Sequence, residues 1–518
     1  MRSQMDDACS TIANMLLCME NPTTQDAKNI IRNVCAEMSL ERIPRKQEIL
    51  AAAGDDGYSK LHTLLLKKPA KTGSGVAVIA LMPKPYACPH GRCTYCPGGI
   101  SHNTPNSYTG TEPSTINAIE NQYNPVLQIT TKLDKLISYG HDPSKLELVI
   151  VGGTFMFMPE EYRYNFIKSC YDALNRTVSP TLESAKKLNT TSDIRNVGFT
   201  IETKPDYCKA KHIDAMLTYG ITRVEIGVQS LRERVYKIVN RGHTFDDVVE
   251  SFQAARDAGL KIVAHMMPGL PTASPQNDID DFAQLFDDER LRPDMLKIYP
   301  SLVLNDTPLY KQYMDGSYTP YDNSEMINVL ATAKARFPEW VRVMRIQREI
   351  PSTDIIAGPT QGNLRQLVFN EMKRRNTTCR CIRCRQPVRI SSKLHQRRID
   401  YAAAGGHEVF LSYIDDDDQI YGFIRMRRPS SRSHRPEIVN STLVRELHVY
   451  GRLLGLGKHG GIQHSGLGRR LLAEAERISK VELGVERILV ISAVGTRQYY
   501  SSLGYSLYGP YMSKCLVG

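Results

Sequence analysis

Two groups of three cysteines carry the most legible chemistry in this chain. Cys88-Pro-His-Gly-Arg-Cys93-Thr-Tyr-Cys96-Pro-Gly-Gly puts three thiols within nine residues, behind a strand-like run from Val76 to Met82. Thiolates so spaced suit zinc or an iron–sulfur cluster. Zinc sites of this kind take four close ligands. No fourth cysteine follows in range, and His90 inside the first spacer is poorly placed as a fourth arm. Three thiolates on a four-iron cube leave one iron open for a substrate. The alternatives are a zinc ion or three simply buried cysteines. The second group, Cys379-Arg-Cys381-Ile-Arg-Cys384, reads as a zinc knuckle with no assignable fourth ligand. A structural ion shaping a basic surface is the expected role.

Further candidates lie at the ends of apolar runs. Gly152-Gly153-Thr154, Glu202-Thr-Lys204-Pro and Glu225-Ile-Gly-Val-Gln229 each close one, and Lys297 sits within another. Paired glycines let a backbone approach a ligand closely. Near the C-terminus, Gln463-His-Ser-Gly466-Leu467-Gly468-Arg469 opens a helical stretch, where bared N–H groups suit a pyrophosphate. Tyr499-Tyr500 follows on a later helix.

The elements that must position these residues fall into three sets. Residues 1 to about 70 read as helical over Met5–Cys18 and Thr24–Met38, with Thr24 as an N-cap and Pro44 and Gly54–Gly57 as punctuation. From Val76 to Gln347, strand candidates Val76–Leu81, Leu146–Val151, Val197–Ile201, Arg223–Val228, Lys261–Met266, Met295–Tyr299 and Val341–Ile346 alternate with helical stretches. The helices include Ile116–Ser138, Glu160–Leu174, Phe245–Ala258 and Met326–Ala335. This alternation predicts parallel strands with crossover helices, and about seven units fit a partial or full barrel. Chemistry then belongs at the C-terminal strand ends, where the first cysteine loop falls. The last 110 residues predict a hairpin, Glu408–Ile414 and Gln419–Arg425 about a solvated acidic tip Asp415–Asp418. A strand Arg445–Tyr450, a helix Arg470–Lys480 and a strand Arg487–Ser492 follow.

The chain has 518 residues, 41% hydrophobic and 23% charged, an ordinary globular composition for about three domains. No apolar run is long enough for a membrane span, and twelve cysteines suggest a reducing, cytoplasmic setting. Net charge is +11, and +8 of it lies in residues 371–400. Such a patch suits a polyanion such as nucleic acid.

The Cys88 loop resembles that of the radical S-adenosylmethionine (SAM) enzymes, with one residue more in its first spacer than the commonest pattern. The C-terminal region resembles the Gcn5-related N-acetyltransferases. A SAM barrel joined through a basic cysteine-rich segment to such a domain is similar to the elongator protein 3 family. Stretches that carry the likeness are Ser107–Pro113, Val151–Phe155, Ile201–Tyr207, Arg445–Gly451 and Gly509–Lys514. The cysteine loop has the length of archaeal and bacterial members, and Lys204 replaces a more usual arginine.

The resemblance implies an α/β chain in four parts. A helical segment over 1–72, either an RNA-binding lobe or a plain scaffold and outside the stretch that carries the likeness, precedes a partial TIM-type barrel 73–350, a zinc-binding linker 351–400 and an acetyl-coenzyme A (acetyl-CoA) domain 401–518. It implies a 4Fe–4S cluster on Cys88, Cys93 and Cys96, and SAM held by Gly152, Gly153, Thr154, Lys204 and Gln229. Acetyl-CoA falls to Glu446, Leu447, His448, Val449, Gln463, Gly466, Leu467, Gly468 and Arg469. Lys145 contacts acetyl-CoA, Tyr500 of the pair Tyr499-Tyr500 reaches the thioester while one of the two packs in the core, and zinc falls to Cys379, Cys381 and Cys384. The implied reaction joins the acetyl methyl carbon, as a radical, to C5 of the wobble uridine in a tRNA anticodon loop. A carboxymethyl-type group remains after thioester hydrolysis. Implied partners are tRNA and either a second copy or other Elongator-type subunits. Rival readings are a protein lysine acetyltransferase with a structural cluster and a non-enzymatic RNA-binding scaffold. The basic segment and the intact SAM set oppose the first, and two cofactor sites oppose the second.

Overall fold

Seven strands of the central region form one all-parallel sheet in a computed structural model that describes residues 4–65, 75–387, 391, 393–450 and 466–517. They are β1 (Ala77–Leu81), β2 (Lys145–Ile150), β3 (Arg195–Thr203), β4 (Arg223–Gln229), β5 (Lys261–Met266), β6 (Met295–Ile298) and β8 (Arg342–Arg345), in that order across the sheet. The sheet curls into a half-barrel, and β1 and β8 are its two edges. A two-stranded ribbon, β7 (Val303–Leu304) with β9 (Ile355–Ala357), lies beside it. Both faces of the sheet are covered, so strands such as β4 are buried along nearly their whole length.

All seven predicted strands are present. The predicted helix Ile116–Ser138 is two helices, Pro113–Glu120 and Pro125–Ile137. The break is chemical: Asn124 caps the second helix by accepting from the N–H groups of Val126 and Leu127, and Pro125 supplies its first turn. In the N-terminal region the cap is Thr23 rather than Thr24, with Asp26 completing a capping box. Gly54–Gly57 opens the helix Gly54–Leu65 instead of breaking the chain. These N-terminal helices share a core of their own around Ile12, Leu16, Ile49 and Leu61.

The C-terminal region is a second seven-stranded sheet, β10 (His395–Ala403), β11 (Gly406–Ile414), β12 (Ile420–Arg428), β13 (Ser441–Val449), β14 (Arg487–Val490), β15 (Ser506–Tyr508) and β16 (Tyr511–Cys515). Its order is β10-β11-β12-β13-β14-β16-β15, with only β13 and β14 parallel. Their ladder ends at Val444 opposite Val490, so Arg445–Val449 runs on without that neighbour. The β11–β12 tip is not simply solvated. Asp418 pairs with Arg380, Arg385 and Arg397, and buried Asp415 accepts from Tyr421.

The second sheet docks on the N-terminal strand ends of the half-barrel. Gly495 lies against β3 so closely that a Cβ there would stand 2.6 Å from Arg195 Cβ. Ile438, Leu443, Leu489, Ile491, Val494 and Tyr511 join the barrel's own apolar core. Alongside them lies a buried ionic network. Arg256, Asp257 and Asp294 of the barrel region meet Glu408, Arg425, Arg427, Arg445 and Glu446 of the second sheet. Four guanidiniums face four carboxylates, so the cluster is neutral, which is what burial demands. Among the described residues, no helix is long and apolar enough to cross a membrane.

Candidate functional site

Every second residue of the parallel strands points into the half-barrel, and these positions are unusually polar. Val78 and Ala80, Glu147 and Val149, Glu202, Arg223 and Glu225, His265, Lys297 and Met344 line a cavity of about 370 Å³ that runs up to the C-terminal mouth. Barrels of this class are ordinarily filled by branched apolar side chains. Here Glu225 is fully buried and pairs with both Lys297 and His265, the latter at 2.8 Å. Burial pushes the Glu225 carboxyl up, but Lys297 and His265 outweigh it and hold it well below the usual range. Burial raises Glu202 instead. Glu202, Glu225 and His265 present ligand atoms within 4.8 Å of one another. The Lys297 ammonium already pairs with both carboxylates.

The loop after β1 sets Cys88, Cys93 and Cys96 at the mouth. Their sulfurs lie among donors: Asn106 Nδ2 at 3.2 Å from Cys88, the Ser107 N–H at 3.2 Å from Cys96 and Arg241 Nη1 at 3.8 Å from Cys93. These three sulfurs do not converge within the 4.8 Å that the Cys379 group achieves. That wider spread suits a multi-iron cube better than a single ion. Burial raises Cys88 and pushes Cys96 up to about 11, so metal loading must displace protons. His90, poorly placed by its spacing to serve as a fourth arm, lies with Nε2 3.2 Å from Cys93 Sγ and Nδ1 3.0 Å from Lys204 Nζ.

The other mouth residues divide. Gly153, Thr154, Lys204 and Gln229 line the cavity, as the strand-end pattern anticipates. Gly152 is not on its wall. It has φ +104°, and a Cβ there would meet Pro105 Cβ at 2.8 Å, so it shapes the turn instead. Lys204 is buried and bonded to Asp206, and burial with nearby Arg241 lowers its pKa. Gln229 adopts φ 72° and keeps a buried, unpartnered Oε1.

A second cavity of about 320 Å³ lies where the second sheet meets the barrel's N-terminal end. Glu446, Leu447, His448, Tyr450, Ser492 and Tyr500 line it from one side, and Val76, Gly198, Lys261 and Arg342 from the other. Strand β13 contributes the stretch beyond Val444 that β14 leaves unpaired. Burial lowers His448 to about 4, and its Nε2 has no partner. Val449 is off this wall and packs near Gly468. Tyr500 is buried on the cavity wall, whereas Tyr499 is more exposed and lies over Gly468. Gly466, with φ 82°, caps the helix Leu467–Arg477, whose Leu467 packs in the core and whose Arg469 is exposed. That helix starts three residues earlier than its periodicity suggests. Gln463 lies outside the described residues. Lys145 opens β2 on the same face as Glu147, half-buried and with its pKa lowered by that burial. It lines neither cavity. Its neighbour in register, Arg195, bonds Gln498 of the second sheet's domain at 3.1 Å.

In the cysteine-rich segment, Cys379, Cys381 and Cys384 bring their sulfurs within 4.8 Å. That convergence fits one small ion. The ammonium of Lys334, itself fully buried, stands 3.3 Å from Cys379 and 4.0 Å from Cys384. The basic surface expected around this knuckle is largely spent within the protein. Arg374 and Arg375 pair with Glu371, Arg380, Arg385 and Arg397 with Glu339 and Asp418, and Arg398 with Asp400 and Glu482.

Sequence reasoning missed Arg241, Arg223, Glu147, His265 and Tyr299. For the strand residues a signal existed: charges recurring at alternate positions in otherwise apolar strands. Arg241 follows a short helix and carries no such mark.

Comparison with known proteins agrees with this architecture. Residues 82–286 match the Radical SAM superfamily, 293–374 the Radical_SAM C-terminal domain and 5–73 the ELP3 N-terminal domain. Elongator complex protein 3 of Schizosaccharomyces pombe is 42% identical over 98% of each chain. A tRNA uridine(34) acetyltransferase of Methanocaldococcus jannaschii is 41% identical over 95% of each. The solved structure of the archaeal Methanocaldococcus infernus Elp3, lacking residues 1–46, superposes with a TM-score of 0.76 at 40% identity, covering 85% of this chain and 99% of that one. With relatives this similar over nearly its full length, the chain belongs to the Elongator complex protein 3 family.

Proposed function

We propose that the protein is a tRNA uridine(34) acetyltransferase that uses SAM and acetyl-CoA to install a carboxymethyl-type group at C5 of the wobble uridine. One observation carries the reading. The mouth cavity and the interdomain cavity share Val78, Glu147, Arg223 and Met344, so the two candidate cofactor pockets adjoin through the barrel rather than open on opposite faces. Uracil C5 is too weak a nucleophile for ordinary acyl transfer, which a radical route avoids.

In this reading Cys88, Cys93 and Cys96 hold a 4Fe–4S cluster, and Gly153, Thr154, Lys204 and Gln229 hold SAM beside it, with Gly152 shaping the turn. Those bound groups supply a 5′-deoxyadenosyl radical able to take hydrogen from the acetyl methyl. Glu446, Leu447 and His448 lie along the pantetheine arm, the helix start at Gly466–Arg469 takes the pyrophosphate, and Tyr500 faces the acyl end, with Lys145 outside the cavity lining. The target base must leave its stack to enter the mouth, where Arg345 and Arg348 stand. The Cys379 trio holds zinc as a structural ion, with Lys334 offsetting the excess thiolate charge. The proposed domains span 1–72, 73–350, 351–400 and 401–518.

The test incubates reduced, reconstituted protein with SAM, labelled acetyl-CoA and tRNA, and separately with a lysine peptide. Label on the uridine substituent is expected. Label on lysine and none on tRNA would overturn the reading. Cys93→Ser should lose both iron and SAM cleavage, and cleavage at the wild-type rate would remove the cluster assignment.

A further inference from the structure

We propose that the Glu147–Arg223 ion pair is a gate across the barrel lumen, and that Arg223 receives the acyl oxygen of the thioester when Glu147 swings away. This inference rests on the function proposed above and assigns a role to two residues that function leaves unused.

Of the four residues common to both cavities, only Glu147 and Arg223 are polar. They stand on β2 and β4, with β3 between them, and their side chains meet across it in an ion pair. Gly198, the register partner of Glu147 on β3, makes the crossing possible. A Cβ at Gly198 would lie 3.1 Å from Glu147 Cγ, and its backbone has no positive φ. Space for the Glu147 side chain is therefore what glycine provides there. Thr200, two residues further on, reaches Glu147 Oε1 at 3.5 Å.

The pair is built to separate. Arg223 is buried and keeps a second donor, Nε, with no partner. That Nε faces Glu225 Oε1 at 4.0 Å, beyond hydrogen-bond distance, while Lys297 and His265 both hold the other oxygen, Oε2. Glu147 is less buried than Arg223 and borders open space on both sides. A seal alone needs only apolar side chains, which are the cheaper choice in an interior. A guanidinium with a spare donor offers something more, a charge-assisted hydrogen bond to whatever carbonyl oxygen comes up from the interdomain side. Closed, the pair keeps the thioester out of reach of the mouth. Open, it aligns the acyl group between the two cavities.

The test reads binding as well as turnover. Calorimetry on the full-length protein compares coenzyme A with acetonyl-coenzyme A, a ketone analogue that keeps the carbonyl and resists hydrolysis. Glu147→Gln should shift preference toward the ketone by about tenfold, the size of one hydrogen bond to a charged group. The charge-neutral double variant Glu147→Gln/Arg223→Met should lose that preference while still binding coenzyme A. Thermal unfolding verifies that each variant folds. With trideuterated acetyl-CoA, Glu147→Gln should also raise tRNA-independent deuterium transfer into 5′-deoxyadenosine. If both variants keep the wild-type preference between the two ligands, the gate is wrong. If the wild type binds neither ligand, the proposed function fails instead.

Discussion

Replacing Asp294 by Asn should destabilise the protein by about 3–5 kcal/mol, although the side chains are nearly identical in shape. Asp294 is fully buried where the two sheets meet. Its Oδ1 accepts from Arg445 Nη1 at 2.9 Å and faces Arg256 Nη1 at 3.4 Å and Arg425 Nη1 at 3.9 Å. Its Oδ2 accepts from Arg445 and from the Ile262 N–H at 2.9 Å. Asparagine keeps one acceptor, turns the other position into a donor aimed at a guanidinium, and leaves four buried cations against three carboxylates. Scanning calorimetry should show a fall in Tm of roughly 10 °C at pH 7, given about 2–4 °C per kcal/mol for units of this size. The pH dependence supplies an independent check. Burial pushes Asp294 up, but Arg445, Arg256 and Arg425 outweigh it and hold it well below the ordinary carboxylate range. A depressed pKa contributes stability that is present above the unfolded value of about 4 and is lost as pH falls through the folded value. The gap between wild type and variant should be constant from pH 8 to 5 and narrow below about pH 4. A Tm shift under about 2 °C, or a gap unchanged in acid, would refute the claim that this network ties the sheets together.

Three further outcomes follow from the site. Tyr500→Phe should slow uridine modification by about tenfold while Tyr499→Phe stays within about twofold, because only Tyr500 lines the interdomain cavity. Equal effects in tRNA product assays would remove that distinction. Lys334→Met should lower zinc retention against a chelator by about tenfold, since three thiolates on a dication leave a net negative charge in a buried place. Elemental analysis after dialysis reads it, and unchanged zinc content would show that Lys334 does not balance the site. Burial lowers His448 to about 4, so coenzyme A affinity should show no step between pH 5 and 8 that Gln at this position removes. A step near pH 6.5 lost in His448→Gln would contradict that neutral state.

The sequence made some parts of this structure legible for definite reasons. Parallel strands buried on both faces appear as continuous apolar runs, so β1 through β6 and β8 stand out. The cysteine loop falls at a strand end because chemistry in such sheets gathers there. What stayed hidden depended on distance in the fold. The arginines of residues 371–400 look like a free polycation in the chain. Beyond Glu371 and Asp400 within the segment, the neutralising partners Glu339, Asp418 and Glu482 are outside it and reach it only through tertiary packing. The acidic tip reads as solvated for the mirror-image reason, its arginine partners Arg380, Arg385 and Arg397 coming from elsewhere in the chain. Gly198 looks like an unremarkable glycine until Glu147 and Arg223 are seen to meet across it.

The docking of the two sheets bears on how two cofactor pockets could cooperate. A neutral cluster of eight buried charged groups and a shared apolar core bind the acetyltransferase-like sheet to the base of the half-barrel. Hinging these bodies apart would expose the shared apolar core to water, at about 25 cal/mol for each Å² uncovered. A smaller step than swinging the domains open is available. Among the side chains shared by both cavities only Glu147 and Arg223 hold each other by a specific interaction. Separating that one pair, with a new acceptor taking the vacated donor, is a far smaller step than rebuilding the interface. The gate proposed at Glu147 and Arg223 gives two polar residues a use in a barrel interior that packing alone would fill with valine and isoleucine.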